Sequence, residues 1–203
     1  MIEVFADVWC PFAHVGIAAA VAARDTAGRR DLAVHVRAWP LELVNEGPLE
    51  VSTTAAHVAA LRDQVAPGLF VGFDPASFPA TSMPALALEA AAHAHDAATG
   101  LAVSLALRNA LFERGEDIAD AGVLGAIASL FGLGDVDLTV HTSVLADYEE
   151  GQRRGVKGSP HFFSEDAESF CPTLDITRDP DGHLLLERNA RRLDAFLADW
   201  LAR

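Results

Sequence analysis

Apolar and polar positions alternate from the first residues of the chain, where Ile2, Val4 and Ala6 interleave with Glu3, Phe5 and Asp7. A period of two sends successive side chains to opposite faces, so this segment reads as a strand. The run from Pro11 to Arg24 is rich in alanine and opens on a proline suited to the first helical position, and Gly28 stops it. Leu32, Val34, Val36 and Ala38 then alternate with Ala33, His35, Arg37 and Trp39 until Pro40 ends the run, which predicts a second strand. A strand-helix-strand unit therefore opens the chain, with the right-handed crossover that parallel strands require.

From Ser52 to Arg154 the apolar period lengthens to that of helices, over 54–65, 84–98, 101–114, 120–131 and 139–154. The first two are separated by Pro67 to Pro84, a segment long enough to be a lid, an interface or a packed connection, and Phe70, Phe73 and Phe78 within it argue against disorder. Beyond Gly155, strand character returns in His161-Phe162-Phe163, in Thr173 to Ile176 and in Leu184 to Leu186. The turn Asp179-Pro180-Asp181-Gly182 joins the last two into a hairpin expected to rejoin the sheet. Asn189 can cap a final helix on which Leu193, Phe196, Leu197, Trp200 and Leu201 share one face. Strand-bearing ends around a helical block predict an α/β core of residues 1–50 and 155–203, interrupted by an all-helical insertion at 51–154.

Charge narrows the partners. Fifteen Lys and Arg against twenty-nine Asp and Glu leave a formal charge of −14, which repels phosphate backbones and argues against nucleic acid and anionic membranes. The opening residues carry acids where a secretory signal needs bases, and the longest apolar runs are about half the length of a membrane-spanning helix, so a cytoplasmic location is expected. In a reducing cytosol Cys10 and Cys171 are expected to remain thiols. No metal site is predicted: His93 and His95 diverge by roughly 200° on a helix, and the Asp179 turn lacks the ligands of a calcium loop.

Cys10 holds the most chemical promise, because it sits where a strand gives way to a helix. Unpaired helical amides and the positive end of the helix dipole favour a thiolate there, so a lowered pKa and a nucleophilic sulfur are expected. The alternative is a small buried hydrophobe, a common fate of free cysteine. His14, one helical turn on, can approach the sulfur or simply face solvent. Asp7 would oppose ionisation of Cys10 if close, and otherwise caps a turn. Trp9 and Phe12 are candidate apolar walls for a substrate, or ordinary core.

The segment Asp7-Val8-Trp9-Cys10-Pro11-Phe12-Ala13-His14-Val15-Gly16 resembles the active-site stretch of the DsbA-like thioredoxin-fold family, in particular its cytoplasmic FrnE-like branch with a CPWC core. Gly155-Val156-Lys157-Gly158-Ser159-Pro160-His161-Phe162 is similar to the loop that carries the family's cis-proline opposite the reactive cysteine. The resemblance covers nearly the whole chain, since Leu111-Phe112, Arg114 to Ile118 and Ala146 to Glu149 are similar to the family's helical insertion. It implies a thioredoxin-like α/β fold with an all-helical insertion, thiol-disulfide oxidoreduction at Cys10, and a binding edge built from Trp9, Pro11, Phe12, Ser159 and Pro160. Two departures stand out. Ala13 replaces the second cysteine, leaving CxxA, so no local thiol can resolve a mixed disulfide. Val4 occupies the place of the buried acid that thioredoxins carry six residues before the cysteine.

Three chemistries stay open. Cys10 can work as a single thiol whose mixed disulfide is resolved by an external low-molecular-weight thiol such as glutathione, no cofactor being tightly bound. Cys171 can act as a distant resolver if the fold brings it close. The resemblance also extends to 2-hydroxychromene-2-carboxylate isomerases and kappa-type glutathione transferases, which implies glutathione-dependent isomerisation or transfer. A catalytically degenerate binding protein is the remaining case. The expected partners are a small thiol or a disulfide-bearing substrate, and a homodimer is compatible with the chain.

Overall fold

The computed structural model describes residues 1–202; Arg203, counted above in the second core segment, lies outside the described residues. Among them the chain forms a four-stranded sheet of order β2-β1-β3-β4, a separate two-stranded sheet and eight helices. Strand β1 (Ile2–Ala6) lies parallel to β2 (Val34–Ala38), with Val4 opposite Val36. Helix α1 (Pro11–Thr26) is the crossover between them. On the other side of β1, strand β3 (His161–Phe163) runs antiparallel and pairs in turn with β4 (Glu168–Phe170).

The period of two seen in the sequence sorts the sheet faces. Ile2, Val4 and Ala6 join Ala13 and Ile17 of α1 and Leu193, Phe196 and Trp200 of the last helix, α8 (Ala190–Leu201), in one apolar cluster. Phe5 points the other way and packs edge-on against Trp39 and Phe163. Asn189 caps α8 by accepting the Arg192 amide.

Between the two strand-bearing ends lie α2 (Leu41–Val44), α3 (Val51–Gln64), α4 (Met83–His95), α5 (Ala97–Arg114), α6 (Ala121–Leu130) and α7 (Thr142–Arg153). Only Asp96 separates α4 from α5, and its carboxylate caps α5 by accepting the amides of Ala98 and Thr99. Arg108 of α5 and Glu89 of α4 form a fully buried ion pair at 2.9 Å, and Arg108 also donates to the Asp7 carbonyl, 3.3 Å away, at the end of β1. The helical block is thus tied by charge to the strand that leads to Cys10.

One expectation changes. The hairpin of β5 (Leu174–Arg178) and β6 (Leu184–Arg188) does not rejoin the main sheet but forms its own two-stranded sheet against α3. The fourth strand is β4, whose three residues are too short to show a period. The chain kinks between β4 and β5 at Cys171, where φ is +45°, and at Pro172, which has no amide to continue a ladder. Of the readings left open for the segment from Pro67 to Pro84, the structure shows the packed connection. Phe70 is fully buried and packs on Phe112, Phe73 packs on Phe78, and the Glu113 carboxylate accepts the amides of Phe70 and Val71 at 2.9 and 3.1 Å.

Candidate functional site

Cys10 is the N-cap of α1, with extended backbone angles and Pro11 at the first helical position. Cys10 is only 3% exposed, and its thiol donates to the Ser159 carbonyl at 3.1 Å. The Ser159–Pro160 peptide bond is cis. The close approach of this turn to α1 depends on Gly16, since a Cβ there would stand 3.1 Å from Pro160 Cγ. Cys10, Pro11, Phe12 and Ser159 line a cavity of about 600 Å³, which Leu49 and His57 of α3 also line.

The electrostatics correct the expected thiolate. Burial raises the Cys10 pKa above the ordinary thiol value, and the nearby Asp7 charge raises it further. Ser159 and the helix-start amides of Phe12 and Ala13 pull in the opposite direction but do not prevail. Desolvation outweighs the helix terminus because an anion loses its hydration throughout the site while the amides supply only partial charges. The upward shift favours the protonated thiol, which is the form that can donate to the Ser159 carbonyl.

Asp7 is the feature that sequence reasoning undervalued. It is completely buried, and its carboxylate accepts the amides of Trp9 and Leu41 and the hydroxyl of Ser82. Its own amide donates to the Ser159 hydroxyl at 2.9 Å, so Asp7 braces the same turn that Cys10 touches. Burial raises its pKa to about 7 against these hydrogen bonds and the Arg108 charge. Its place three residues before Cys10, at the end of an apolar strand, was the available signal. A titrating acid beside the thiol therefore exists, although position 4 is valine.

The remaining candidates divide. His14 is buried, but Nε2 hydrogen-bonds Glu113 Oε1 at 2.8 Å and the ring packs between Phe70 and Phe112. Burial lowers its pKa despite Glu113, so the ring is neutral at pH 7 and its bond is that of an imidazole N–H to a carboxylate. Its expected role at the sulfur is replaced by one in joining α1 to the aromatic segment. Trp9 is not a wall: it is fully buried and stacks on Phe78 with centroids 5.7 Å apart. Phe12 does line the cavity, and its ring stands 5.2 Å from that of His57. Pro160 is buried against α1, which leaves Ser159 as the face presented to the cavity.

Cys171 lies on the other side of the same turn, its amide donating to the Pro160 carbonyl at 2.9 Å. Neither cysteine is in a disulfide. Burial and the adjacent Cys10 charge push the Cys171 thiol up to about 12.

With this geometry established, the family model of the DSBA-like thioredoxin domain matches residues 1–176. The chain belongs to that family. No curated protein matches it. Among solved structures it is similar to the cytosolic disulfide reductase DsbM from Pseudomonas aeruginosa, in its structure with GSH, at TM-score 0.61 and 16% identity over 100% of this chain and 99% of that one. It is also similar to a 2-hydroxychromene-2-carboxylate isomerase, at TM-score 0.60 and 14% identity over 83% of this chain and 87% of that one. At these identities both likenesses are ones of fold, and the α/β thioredoxin-like architecture of the DSBA-like family is the one seen here.

Proposed function

We propose that this protein is a thiol-disulfide oxidoreductase that uses Cys10 alone and relies on an external low-molecular-weight thiol, glutathione in the first instance, to complete each cycle. The observation that carries this reading is the Cys10 thiol at the start of α1, on the wall of a cavity of about 600 Å³ and against the Ser159 carbonyl. When a disulfide enters, Cys10 gives up its proton, and Asp7, whose pKa of about 7 and charge act on the thiol, is the candidate acceptor. The thiolate attacks one substrate sulfur, a Cys10–sulfur bond forms, and the substrate S–S bond breaks with its electron pair leaving on the departing thiolate. An external thiolate then attacks the Cys10 mixed disulfide, releases Cys10 and carries away the bound half as a new disulfide.

The two thiol environments support external resolution. Ala13 cannot attack, and with its pKa near 12 Cys171 is ionised to about one part in 10⁵ at pH 7. The likeness to a cytosolic reductase solved with GSH is in keeping with a FrnE-like, cytoplasmic protein that meets glutathione. Among the described residues no helix is long and apolar enough to cross a membrane. A charge of −14 accords with small thiols and disulfides rather than nucleic acid as partners.

A second reading draws on the protonated state of Cys10. A thiol that stays neutral can donate a hydrogen bond to a bound glutathione sulfur, as the isomerase and transferase chemistry of the related families implies. Incubating the protein with glutathione disulfide and measuring intact mass separates the two. The oxidoreductase reading expects one glutathione on Cys10, removed by added thiol, and none on Cys171. An unmodified protein that isomerises a small aromatic acid only when glutathione is present would replace it.

A further inference from the structure

Beside the Cys10 cavity lies a second one of about 630 Å³, between α3 and the β5–β6 hairpin. Thr53 and His57 line both, so the two spaces meet along one wall. Thr53 and His57 are one helical turn apart and share a face of α3. The hairpin contributes Arg178 and His183 to the lining of the second cavity.

The polar groups there are unequal. His183 is engaged by Asp179 through an ion-pairing contact of 3.1 Å. Arg178 donates one bond, to the Gly182 carbonyl at 2.7 Å, and its charge reaches His57, whose pKa is lowered first by burial and then by that charge. Burial leaves His57 a neutral ring between the thiol cavity and a guanidinium. The wall is fixed in advance: Gln64 of α3 donates to the Leu184 carbonyl and accepts the Leu186 amide at 3.0 and 2.8 Å, and Arg188 bonds the Val65 carbonyl. A preformed cleft with a guanidinium in its lining suits a carboxylate, which Arg binds through its planar fork.

We propose that the two cavities form one bipartite groove for a small disulfide made of two peptide-like, carboxylate-bearing halves, with Arg178 as the carboxylate anchor of the half that departs. For its thiol end this rests on the function proposed above. One half occupies the Cys10 cavity and becomes the mixed disulfide. The other lies across His57 with its terminal carboxylate at Arg178, and leaves as a thiolate that takes a proton from water. Two extended tripeptide halves span up to about 20 Å, and the two cavities that share Thr53 and His57 offer them adjoining spaces.

The test uses glutathione disulfide and the neutral bis(2-hydroxyethyl) disulfide, with affinities measured calorimetrically on the Cys10→Ser protein so that no covalent step intervenes. Arg178→Ala is expected to lower the preference for the charged over the neutral disulfide about tenfold, Arg178→Glu further, and Arg178→Lys to restore most of it. An unchanged preference, or equal losses for both ligands, would overturn the anchor. Turnover by the wild-type protein is followed separately. Charge-selective binding without any disulfide exchange would retain the groove and remove the thiol chemistry, whereas exchange without charge selectivity would do the reverse.

Discussion

Two thiols flank the Ser159–Pro160 turn, equal in exposure and both raised in pKa by burial, but different in what surrounds them. Each is 3% exposed, one held by the Ser159 carbonyl and the other held through its amide by the Pro160 carbonyl. Cys10 begins a helix, so the amides of Phe12 and Ala13 offset part of its burial, and its sulfur lines a cavity. Cys171 sits at a left-handed kink between two strands, with no helix start to support an anion and its thiol pushed up to about 12. A thiol becomes usable through what stands ready to receive its charge and through the space in front of it, and solvent exposure alone does not separate this pair.

The comparison breaks most sharply under substitution. Cys10→Ala is expected to reduce disulfide exchange by about 10³-fold or more, whereas Cys171→Ala should keep it within about threefold, as read from turnover of a small disulfide. A comparable loss in Cys171→Ala would make it a partner in the cycle and end the single-thiol mechanism.

Asp7 sharpens the same contrast, because its charge raises the Cys10 pKa. Asp7→Asn should increase Cys10 alkylation by iodoacetamide near pH 7.5 by about tenfold while leaving Cys171 unreactive until the protein unfolds. The variant should also change how stability depends on pH. A carboxyl whose pKa rises from 3.8 to about 7 on folding holds its proton more tightly in the folded state. Wild-type stability therefore falls as pH rises from about 4 to about 7, by up to ~1.4 kcal/mol per unit, and levels off above. Chemical denaturation across that window should show a flatter profile for Asp7→Asn, and an identical slope would mean that Asp7 ionises normally.

The smallest effect is expected at His14. Its ring joins α1 to Glu113 and the Phe70 segment, so His14→Ala should cost about 1–3 kcal/mol of stability through the lost bond and packing. The pH at which Cys10 is half-alkylated should stay within about 0.3 units of wild type. A larger shift would return His14 to the neighbourhood of the sulfur.

Much of the frame could be read from the chain because it is local. Alternation in Ile2 to Asp7 and Leu32 to Trp39 found β1 and β2 with their faces, and the helical stretches matched α3 to α7 to within a few residues at most ends. The Cys10-Pro11 junction located the start of α1 and the wall formed by Phe12. β4 escaped because three residues, Glu168–Phe170, carry no usable period, and the hairpin was assigned to the wrong sheet because pairing partners are not encoded by alternation.

What the sequence by itself determined was the order of elements, the placing of one cysteine at a helix start and the lack of a second one nearby, since each depends on neighbours a few residues away. Tertiary structure decided the protonation of that cysteine, the turn of His14 toward Glu113, the burial of Asp7 and the approach of Cys171. Those properties follow from desolvation and from partners such as Ser159, which stands 149 residues from Cys10 along the chain. Charge in a protein answers to the three-dimensional environment, where water is removed and dipoles converge, and no short-range pattern records it.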